Sequence, residues 1–311
     1  MLEFNKVMIK RVLFIGSKKL GISVLQAIYK ASPELLVGAI TLNDTDDKRS
    51  VYDEFSAFAK QTGVPTDVAN KNDSVDKLLY KYDPDWCIVC GWYRIIGART
   101  LARVPNGFAG IHASLLPQFR GSAPLVWAMI QGVPKVGVSL FKFGPGIDDG
   151  PIYFQCEYDV TEDDDIGTVS AKIEHLVVEK LAGQYMRIIS GELLPLEQNA
   201  GLASYCAPRQ PDDGKIDWSQ GAASVHNFVR AQSHPYPGAF TFSGYEKIYI
   251  WRSEVAREPH FAQPGQMIRK DDRSIFIGCA DGTALRVLCA SVNGVDINPA
   301  QILRSFADRL T

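Results

Sequence analysis

Arg11-Val12-Leu13-Phe14-Ile15-Gly16 is a short apolar run that ends in glycine. Apolar residues follow it at helical spacing, namely Leu20, Val24, Leu25 and Ile28. A buried strand, a tight turn and an amphipathic helix, in that order, predict the opening of a doubly wound unit. This segment therefore indicates an α/β fold built on a parallel sheet.

The alternation of strands and helices continues downstream. The sequence patterns predict a helix over residues 51–62 and strands over 35–41, 86–90 and 107–112. We therefore expect a doubly wound, Rossmann-like α/β core. Ligands of such sheets bind beyond the carboxyl ends of the strands, and His112 lies at one of these ends.

A second, smaller domain is predicted after the core. Residues 165–190 predict one long helix, and the polar, proline- and glycine-containing segment 191–201 indicates a linker. Short apolar runs separated by turns then predict a β-rich, OB-like domain, at residues 247–251, 274–279 and 284–289. We expect one domain over residues 1–200 and the other over 201–311.

Composition and charge agree with two domains. The chain has 311 residues, of which 46% are hydrophobic, and this length can bury two modest cores. Residues 1–6 are partly charged and lack an apolar signal region. No stretch approaches the roughly 18 continuous apolar residues of a membrane span. The sequence predicts a cytoplasmic protein with no membrane partner.

The six cysteines are scattered along the chain. The closest pair, Cys87 and Cys90, lies three residues apart in a predicted strand, where their side chains face opposite sides. They therefore cannot share a metal ion, and their apolar setting favours buried thiols in a reducing compartment. The sequence predicts no metal site.

Two loops of mixed chemistry follow predicted strands in the middle of the chain. The first reads Ile111-His112-Ala113-Ser114-Leu115-Leu116-Pro117-Gln118-Phe119-Arg120-Gly121. The second reads Gly144-Pro145-Gly146-Ile147-Asp148-Asp149-Gly150. Two strands that deliver a histidine and a carboxylate to one cleft provide a base and the group that orients it. The pattern predicts a catalytic site.

These loops resemble the signature of the folate-dependent formyltransferases, the family of methionyl-tRNA formyltransferase, glycinamide ribonucleotide formyltransferase and the sugar N-formyltransferases. A second match resembles their C-terminal domain and comprises Ser204-Tyr205-Cys206, Ile216-Asp217-Trp218, Val229-Arg230-Ala231 and Pro235-Tyr236-Pro237-Gly238-Ala239. The resemblance covers nearly the whole chain. The chain strongly resembles the formyltransferase domain of the bacterial UDP-aminoarabinose enzyme. The resemblance implies formyl-tetrahydrofolate as the formyl donor.

The resemblance implies that His112 exchanges protons during attack by an amine and that Asp148 orients and charges it. Asp149 is the rival carboxylate, but the family pattern places the functional one two residues before the glycine, so Asp149 is expected to be a solvated loop residue. The remaining histidines lack such neighbours and are interpreted as structural: His175, His226, His234 and His260.

Gly110 departs from the family pattern. The family carries asparagine two residues before the histidine, and its carboxamide helps to hold the oxyanion formed during attack. Removing one such donor typically lowers the rate about a hundred- to a thousandfold. Either His112, as an imidazolium, supplies the missing stabilisation, or the activity is lost. If His112 has this role, we expect Gly110→Asn to change the rate modestly, upward if space remains beside the glycine and downward if the larger side chain intrudes on an acceptor pocket shaped around glycine.

The resemblance also implies contacts with the folate. The expected residues are Gly91, Trp92, Tyr93, Arg94, Ile95, Ile96, Ser114, Leu115, Leu116 and Asp148. A glycine at a strand end permits close approach, and an aromatic and aliphatic wall suits a flat heterocycle. The alternative interpretation is that Trp92 and Tyr93 only cover the end of the sheet.

The acceptor is expected to contact cationic or polar residues, for which the candidates are Ser17, Lys18, Lys19, Arg120 and Arg209. The amides at a helix start, together with two lysines, could meet an anionic part of the substrate. The alternative for Ser17 to Lys19 is a tight strand-to-helix turn. Ser114 and Arg120 could instead tie their own loop to backbone carbonyls.

Charge discriminates between acceptors. Residues 205–311 contain 12 lysines and arginines against 11 aspartates and glutamates, a net charge of +1, whereas a tRNA-binding domain needs a clear basic excess. Residues 43–50 are acid-rich where the tRNA enzyme carries a basic insertion. We expect a nucleotide-linked amino sugar used in surface glycan synthesis, and a possible homodimer. Methionyl-tRNA formyltransferase and a non-catalytic binding protein remain alternatives.

Overall fold

The computed structural model describes residues 8–69, 72–256 and 258–311. The interpretation of the N-terminal residues 1–6 lies outside these described residues. Two compact units are present. The first comprises the described residues up to Gly121 together with Gly137–Tyr158 and Ala171–Tyr205. The second comprises Ser122–Val136, Asp159–Ser170 and Cys206–Thr311.

The strands of the described residues are β1 (Val12–Gly16), β2 (Leu36–Thr41), β3 (Thr66–Val68), β4 (Trp86–Cys90), β5 (Phe108–His112), β6 (Arg120–Gly121), β7 (Lys135–Lys142), β8 (Ile152–Asp159), β9 (Tyr205–Cys206), β10 (Ala239–Ser243), β11 (Glu246–Ala256), β12 (Met267–Lys270), β13 (Ile275–Gly278), β14 (Ala284–Val292) and β15 (Val295–Ile297). The α-helices are α1 (Lys18–Ala31), α2 (Tyr52–Thr62), α3 (Asn72–Tyr82), α4 (Ala98–Leu101), α5 (Pro124–Ile130), α6 (Ile166–Ile189) and α7 (Ala222–Arg230). Single 3-10 turns lie at Ala200–Leu202, Pro211–Gly214, Ala280–Gly282 and Pro299–Gln301.

The first unit is built on a seven-stranded sheet with the strand order β3-β2-β1-β4-β5-β7-β8. Neighbouring strands from β3 to β5 run parallel, whereas β7 runs antiparallel to β5. The predicted doubly wound core is confirmed, with an antiparallel edge that the sequence patterns did not predict. The strand order reverses between β1 and β4, and such a reversal is where open α/β sheets bind ligands.

Burial explains the apolar runs of the central strands. Every residue of β1 and β4 is buried, as expected for parallel strands covered by helices on both faces. Helix α1 covers the sheet with its apolar stripe, which includes Ile22, Leu25 and Ile28. In the first unit, the predicted bounds of these strands and helices agree with the structure to within one residue, whereas β11 and β14 extend beyond the predicted runs 247–251 and 284–289.

The second unit contains an antiparallel sheet of order β10-β11-β14-β13-β12, with β15 paired to β14. Its core is formed by sheet residues such as Ile250 and Val287, together with Val225 and Val229 of α7. The predicted β-rich domain is confirmed. Residues 122–136 and 159–170 also belong to this unit, so the units do not follow a single boundary after residue 200.

None of the helices in the described part of the chain has the length and apolar character needed to cross a membrane.

Helix α3 ends at a buried tyrosine that is tied to the edge of the first sheet. The ring of Tyr82 is 4% exposed, and its hydroxyl donates to Asp67 Oδ2 at 2.5 Å. Lys81 Nζ donates to the same oxygen at 2.6 Å. Burial raises the pKa of Tyr82. Burial also opposes ionisation of Asp67, but the hydrogen bonds from Lys81 and Tyr82 outweigh it and lower the pKa of Asp67.

We expect Tyr82→Phe to lower the free energy of unfolding by about 1–2 kcal/mol at neutral pH, because a hydrogen bond to a carboxylate is lost. That hydrogen bond favours ionised Asp67. Its contribution is therefore present above about pH 4 and is lost as the pH falls through the lowered pKa of Asp67. Urea denaturation of both proteins at about pH 7 and about pH 3 measures this difference.

Tyr80→Phe on the same helix is the matched control, because Tyr80 is 71% exposed, and it should change stability by less than about 0.5 kcal/mol. Equal losses in the two variants, or a Tyr82→Phe loss that does not depend on pH, would contradict the assignment.

Candidate active site

His112 is the last residue of β5 and pairs with Ser139 of β7. Its Nε2 lies 2.8 Å from the carbonyl oxygen of Phe119. Because a carbonyl can only accept, Nε2 must carry a hydrogen and donate it. Nδ1 lies 3.5 Å from Asp148 Oδ2, and the His112 side chain is 10% exposed. The fold therefore brings the two predicted catalytic side chains together.

Asp148 approaches His112 from the loop after β7. Its Oδ2 accepts a hydrogen bond of 2.8 Å from the backbone N–H of Gly121. Its φ of +47° lies in the left-handed region, which is uncommon outside glycine and in which aspartate is one of the better tolerated residues. The Asp148 carboxylate therefore contacts both ends of the loop 112–121, namely His112 at its start and Gly121 at its end.

Asp149 has a different role from its neighbour. Its two carboxylate oxygens both accept from the Gly146 N–H at 3.1 Å, and the residue is half-buried. It therefore holds the turn that precedes Asp148. The expectation of a solvated loop residue is corrected accordingly, whereas the choice of Asp148 as the carboxylate beside His112 agrees with the geometry.

The space beside Gly110 is filled by aromatic rings. A Cβ atom at this position would lie 2.2 Å from Cε1 of Phe143 and 3.0 Å from Cε1 of Phe141. Phe143 stacks on Phe108 with ring centres 6.2 Å apart, and Phe141 meets the edge of His112 at 6.3 Å. No room remains for a larger side chain. The sequence analysis missed Phe143, because the antiparallel pairing of β5 with β7 that brings the two phenylalanines to Gly110 is known only from the structure.

The loop after His112 is held by buried hydrogen bonds. Its expected folate contacts are Ser114, Leu115 and Leu116. Ser114, 3% exposed, donates from Oγ to the carbonyl of Gln118 at 2.7 Å. Leu116 is 3% exposed and donates its N–H to Ser139 Oγ, while Gln155 Nε2 donates to its carbonyl. Leu115 is half-buried. Ser114 and Leu116 therefore maintain the loop.

Arg120 lies at the far end of the same loop and is 4% exposed. Its Nη2 donates to Gln198 Oε1 at 2.7 Å, and its Nη1 donates to the Tyr205 hydroxyl at 3.2 Å. Of the two roles considered for Arg120, the geometry matches the structural one, although its partners are side chains and not backbone carbonyls. Gln198 was not identified from the sequence, because it lies in the predicted linker.

The segment after β4 forms one wall of a cleft of about 280 Å³. The cleft is lined by Val75, Asp76, Trp92, Ile95, Ile96, Gly97 and Thr100. Ile95 and Tyr93 are 85% and 58% exposed. Gly91 permits close approach, since a Cβ there would lie 2.0 Å from the carbonyl oxygen of Ser17. Arg94 Nη1 donates to the carbonyl of Ala69 at 3.4 Å.

The cleft has the composition that a flat heterocycle with polar edges requires. Trp92 and Ile96 pack partly against the buried core of the sheet. The indole Nε1 of Trp92 is buried without a hydrogen-bond partner within the described residues, which is unfavourable unless a ligand or a rearrangement satisfies it. Apolar walls with a few polar groups are typical of small-molecule sites, so these residues fit a pterin ring.

Ser17, Lys18 and Lys19 are used within the first unit. Ser17 is 1% exposed and donates to the carbonyl of Gly91 at 2.7 Å. Lys18 Nζ lies 2.5 Å from Asp44 and 2.7 Å from Asp47. The side-chain hydrogen bond from Arg49 is the main cause that holds the pKa of Asp47 well below its usual range.

Lys19 pairs with Glu54 at 2.9 Å. An anionic substrate at this helix start would therefore meet two carboxylates beside Lys18 and a lysine already paired. This geometry favours the alternative of a strand-to-helix turn, and a role of the three residues in binding an anion stays a prediction.

Arg209 belongs to the second unit. Its Nη2 donates to Gln232 Oε1 at 2.7 Å and to the carbonyl of Asp213 at 2.8 Å. Its guanidinium lies 4.9 Å from the ring centre of Trp127, and burial lowers its pKa. Its expected role in substrate binding stays a prediction. In the described part of the chain, no three histidine, cysteine, aspartate or glutamate side chains converge as a metal site would need.

Comparison with known proteins identifies the family. The sequence profile described as "Formyl transferase" matches residues 10–183, and that described as "Formyl transferase, C-terminal domain" matches 209–306. The methionyl-tRNA formyltransferase of Caldanaerobacter subterraneus subsp. tengcongensis is 28% identical over 285 residues, which cover 89% of this chain and 91% of that protein.

Two solved structures share the fold at low identity. The N-formyltransferase from Helicobacter canadensis, in complex with folinic acid and dTDP-3-aminofucose, has a TM-score of 0.68 and 17% identity over 90% of this chain and 99% of its own. HypX from Aquifex aeolicus, in complex with tetrahydrofolic acid, has a TM-score of 0.62 and 17% identity over 96% of this chain. This chain spans 48% of the HypX chain. Because one profile matches more than half of its residues, the chain belongs to the formyl transferase family.

Proposed function

We propose that the protein transfers a formyl group from formyl-tetrahydrofolate to the amine of a nucleotide-linked amino sugar. The observation that carries the reaction class is the contact between His112 Nδ1 and Asp148 Oδ2 at 3.5 Å, at the carboxyl end of β5, in a chain of this family. A histidine with an orienting carboxylate can take up the proton that an amine must lose when it is acylated.

The cleft beside Trp92, Ile95 and Ile96 is the proposed position of the pterin ring. Its apolar walls suit a flat heterocycle. When bound, formyl-tetrahydrofolate supplies the formyl group. HypX has been crystallised with tetrahydrofolic acid, which supports a folate donor for a chain of this fold.

The hydrogen bonds of His112 specify which nitrogen acts. Nε2 donates to the carbonyl of Phe119, so Nδ1 keeps the lone pair and can accept the proton of the amine. A proton taken up at Nδ1 would face the Asp148 carboxylate, which stabilises the resulting imidazolium. Phe141 and Phe143 supply no hydrogen-bond donor, so the positive charge of protonated His112, whose two N–H groups face Phe119 and Asp148, is the proposed electrostatic stabiliser of negative charge that develops nearby.

The choice of acceptor rests on charge and on the sugar-modifying relatives. The net charge of +1 over residues 205–311 gives little attraction for tRNA phosphates. The H. canadensis N-formyltransferase was crystallised with dTDP-3-aminofucose, which supports an amino sugar. Use in surface glycan synthesis, a cytoplasmic location and a homodimer remain predictions from the sequence.

Methionyl-tRNA formyltransferase is the second candidate, and the 28% identical relative from C. subterraneus favours it. A non-catalytic folate or nucleotide-sugar binding protein is the third, because Gly110 stands where the family pattern has asparagine. The three candidates differ in acceptor or in turnover, so they can be separated by experiment.

We expect His112→Ala and Asp148→Ala each to lower turnover by at least about a hundredfold, because general acid–base catalysis typically contributes about a hundred- to ten-thousandfold. The measurement is formyl transfer by purified protein, with circular dichroism to verify folding. His175→Ala is the matched control, since this histidine is 81% exposed on α6 and should leave turnover unchanged. Wild-type turnover in either site variant would exclude the assignment.

The acceptor is tested by offering amino-sugar nucleotides with formyl-tetrahydrofolate and detecting the mass gain of one formyl group. We expect formylation of at least one amino sugar, together with weak, non-specific tRNA binding. Submicromolar affinity for initiator methionyl-tRNA at physiological salt, with formylation of its methionine, would favour the second candidate. Tight ligand binding without turnover on any amine would favour the third.

The filled space beside Gly110 changes the expectation for Gly110→Asn. Because the new side chain would meet the ring of Phe143, we expect a loss of about 1–3 kcal/mol in the free energy of unfolding and reduced turnover. Adding Phe143→Ala should remove this steric clash, although the loss of the ring's packing against Phe108 lowers stability in its own right. The carboxamide should then raise turnover up to about a hundredfold above that of Phe143→Ala alone.

Thermal denaturation and formyl transfer measure both effects, with Phe143→Ala as the control. A wild-type melting temperature for Gly110→Asn, with activity switched on in an otherwise inert protein, would contradict this expectation and favour a scaffold that has lost catalysis.

A further inference from the structure

Gln198 connects the two loops that carry the candidate catalytic pair. Its Nε2 donates to the carbonyl oxygen of Asp148 at 2.8 Å and to that of Gly150 at 2.6 Å. Its Oε1 accepts from Nε and Nη2 of Arg120, at 3.2 and 2.7 Å. Gln198 is half-buried, whereas its neighbours Glu197 and Asn199 are exposed. The Gln198 amide therefore forms four hydrogen bonds, which join residues of two different loops.

The partners of Gln198 leave one orientation for its amide. The two carbonyl oxygens can only accept, so they require the NH₂ group, and the guanidinium can only donate, so it requires the oxygen. Arg120 is buried and reaches Tyr205 with its remaining donor, so it is fixed from both ends. Arg120 thus orients the amide of Gln198, and the amide in turn holds the backbone on both sides of Asp149.

Asp148 depends on such support, because its backbone is left-handed. With φ at +47°, a non-glycine residue keeps its conformation only when the surrounding structure holds it there. Gln198 holds its carbonyl oxygen, and the Gly121 N–H holds Oδ2, which also faces His112 Nδ1. Loss of the first contact would release the backbone whose conformation directs the carboxylate towards the histidine.

We propose that Gln198 is a positioning residue for the His112–Asp148 pair and that Arg120 acts by orienting Gln198. The proposal rests on the proposed function for its activity readout, but its structural readout is independent of any reaction. In this proposal Arg120 has the structural role shown by its contacts with Gln198 and Tyr205, and not the contact with the acceptor that the sequence analysis considered.

Gln198→Glu is the sharpest test, because it keeps an acceptor for Arg120 and replaces the donor with a carboxylate oxygen that repels the two carbonyl oxygens. We expect kcat for formyl transfer to fall at least about tenfold while KM changes less than about threefold, since small misplacements of catalytic groups have such effects. Gln61→Glu, an exposed change of the same kind on α2, should leave both constants unchanged. Wild-type kcat in Gln198→Glu would overturn the proposal.

A double-mutant cycle separates positioning from general structural support. If Gln198 acts through Asp148, adding Gln198→Glu to Asp148→Asn should lower turnover less than about twofold further. If the full tenfold loss appears again in the double variant, Gln198 acts independently of Asp148 and the proposal is wrong.

Crystal structures of the wild-type protein and the Gln198→Glu variant test the proposal without an activity measurement. We expect Asp148 to leave its left-handed conformation or its Oδ2 to lose the Gly121 N–H. If the φ of Asp148 and its contact with the Gly121 N–H are unchanged in the variant, the proposal is wrong, whether or not the protein transfers formyl groups. If the wild-type protein transfers no formyl group, the proposed function fails, and this structural comparison still tests the role of Gln198. If Gln198→Glu does not fold, Arg120→Met/Gln198→Met removes both partners without leaving a buried charge unpaired, and the same readouts apply.

Discussion

The hydrogen bond from the Gly121 N–H to Asp148 Oδ2 is the contact on which the candidate active site depends. Gly121 ends the loop that His112 begins, and Asp148 lies in the loop after the neighbouring antiparallel strand. The contact therefore fixes the two loops to each other at the edge of the sheet. Without it, the strand pairing of β5 with β7 would bring the loops near each other but would not direct the carboxylate at the imidazole.

The same region shows how one small residue determines its neighbours. Gly110 has no side chain, and the ring of Phe143 occupies the space that a Cβ would need. The ring also stacks on Phe108, so the aromatic group belongs to the core as well as to the site. A polar donor at this position would require a different residue at 143. The absence of a side chain at Gly110 and the ring of Phe143 therefore fit each other in the packing of this chain.

Much of the fold and part of the site could be predicted from the sequence. The strand at Trp86–Cys90 was placed correctly because a fully buried strand reads as a continuous apolar run. His112 and Asp148 were identified from their motifs, and the structure brings them together. Lys18 was expected to meet an anion, but Asp44 and Asp47 reach it from the loop after β2. Partners that lie far apart in sequence leave no periodic signal.

By itself, the sequence determined the alternation of strands and helices, the β-rich character of the second unit and the residue types of the candidate catalytic pair, because hydrophobic periodicity and short motifs are local properties. Only the tertiary structure decided the orientation of Asp148, the filling of the space beside Gly110 and the role of Gln198. Gln198 lies in a polar segment whose composition indicates a linker. Its amide nevertheless contacts residues of two loops that lie 48 or more positions away in the sequence. Such roles depend on which backbone carbonyls and side chains meet in space, and that is set by the packing of the whole sheet.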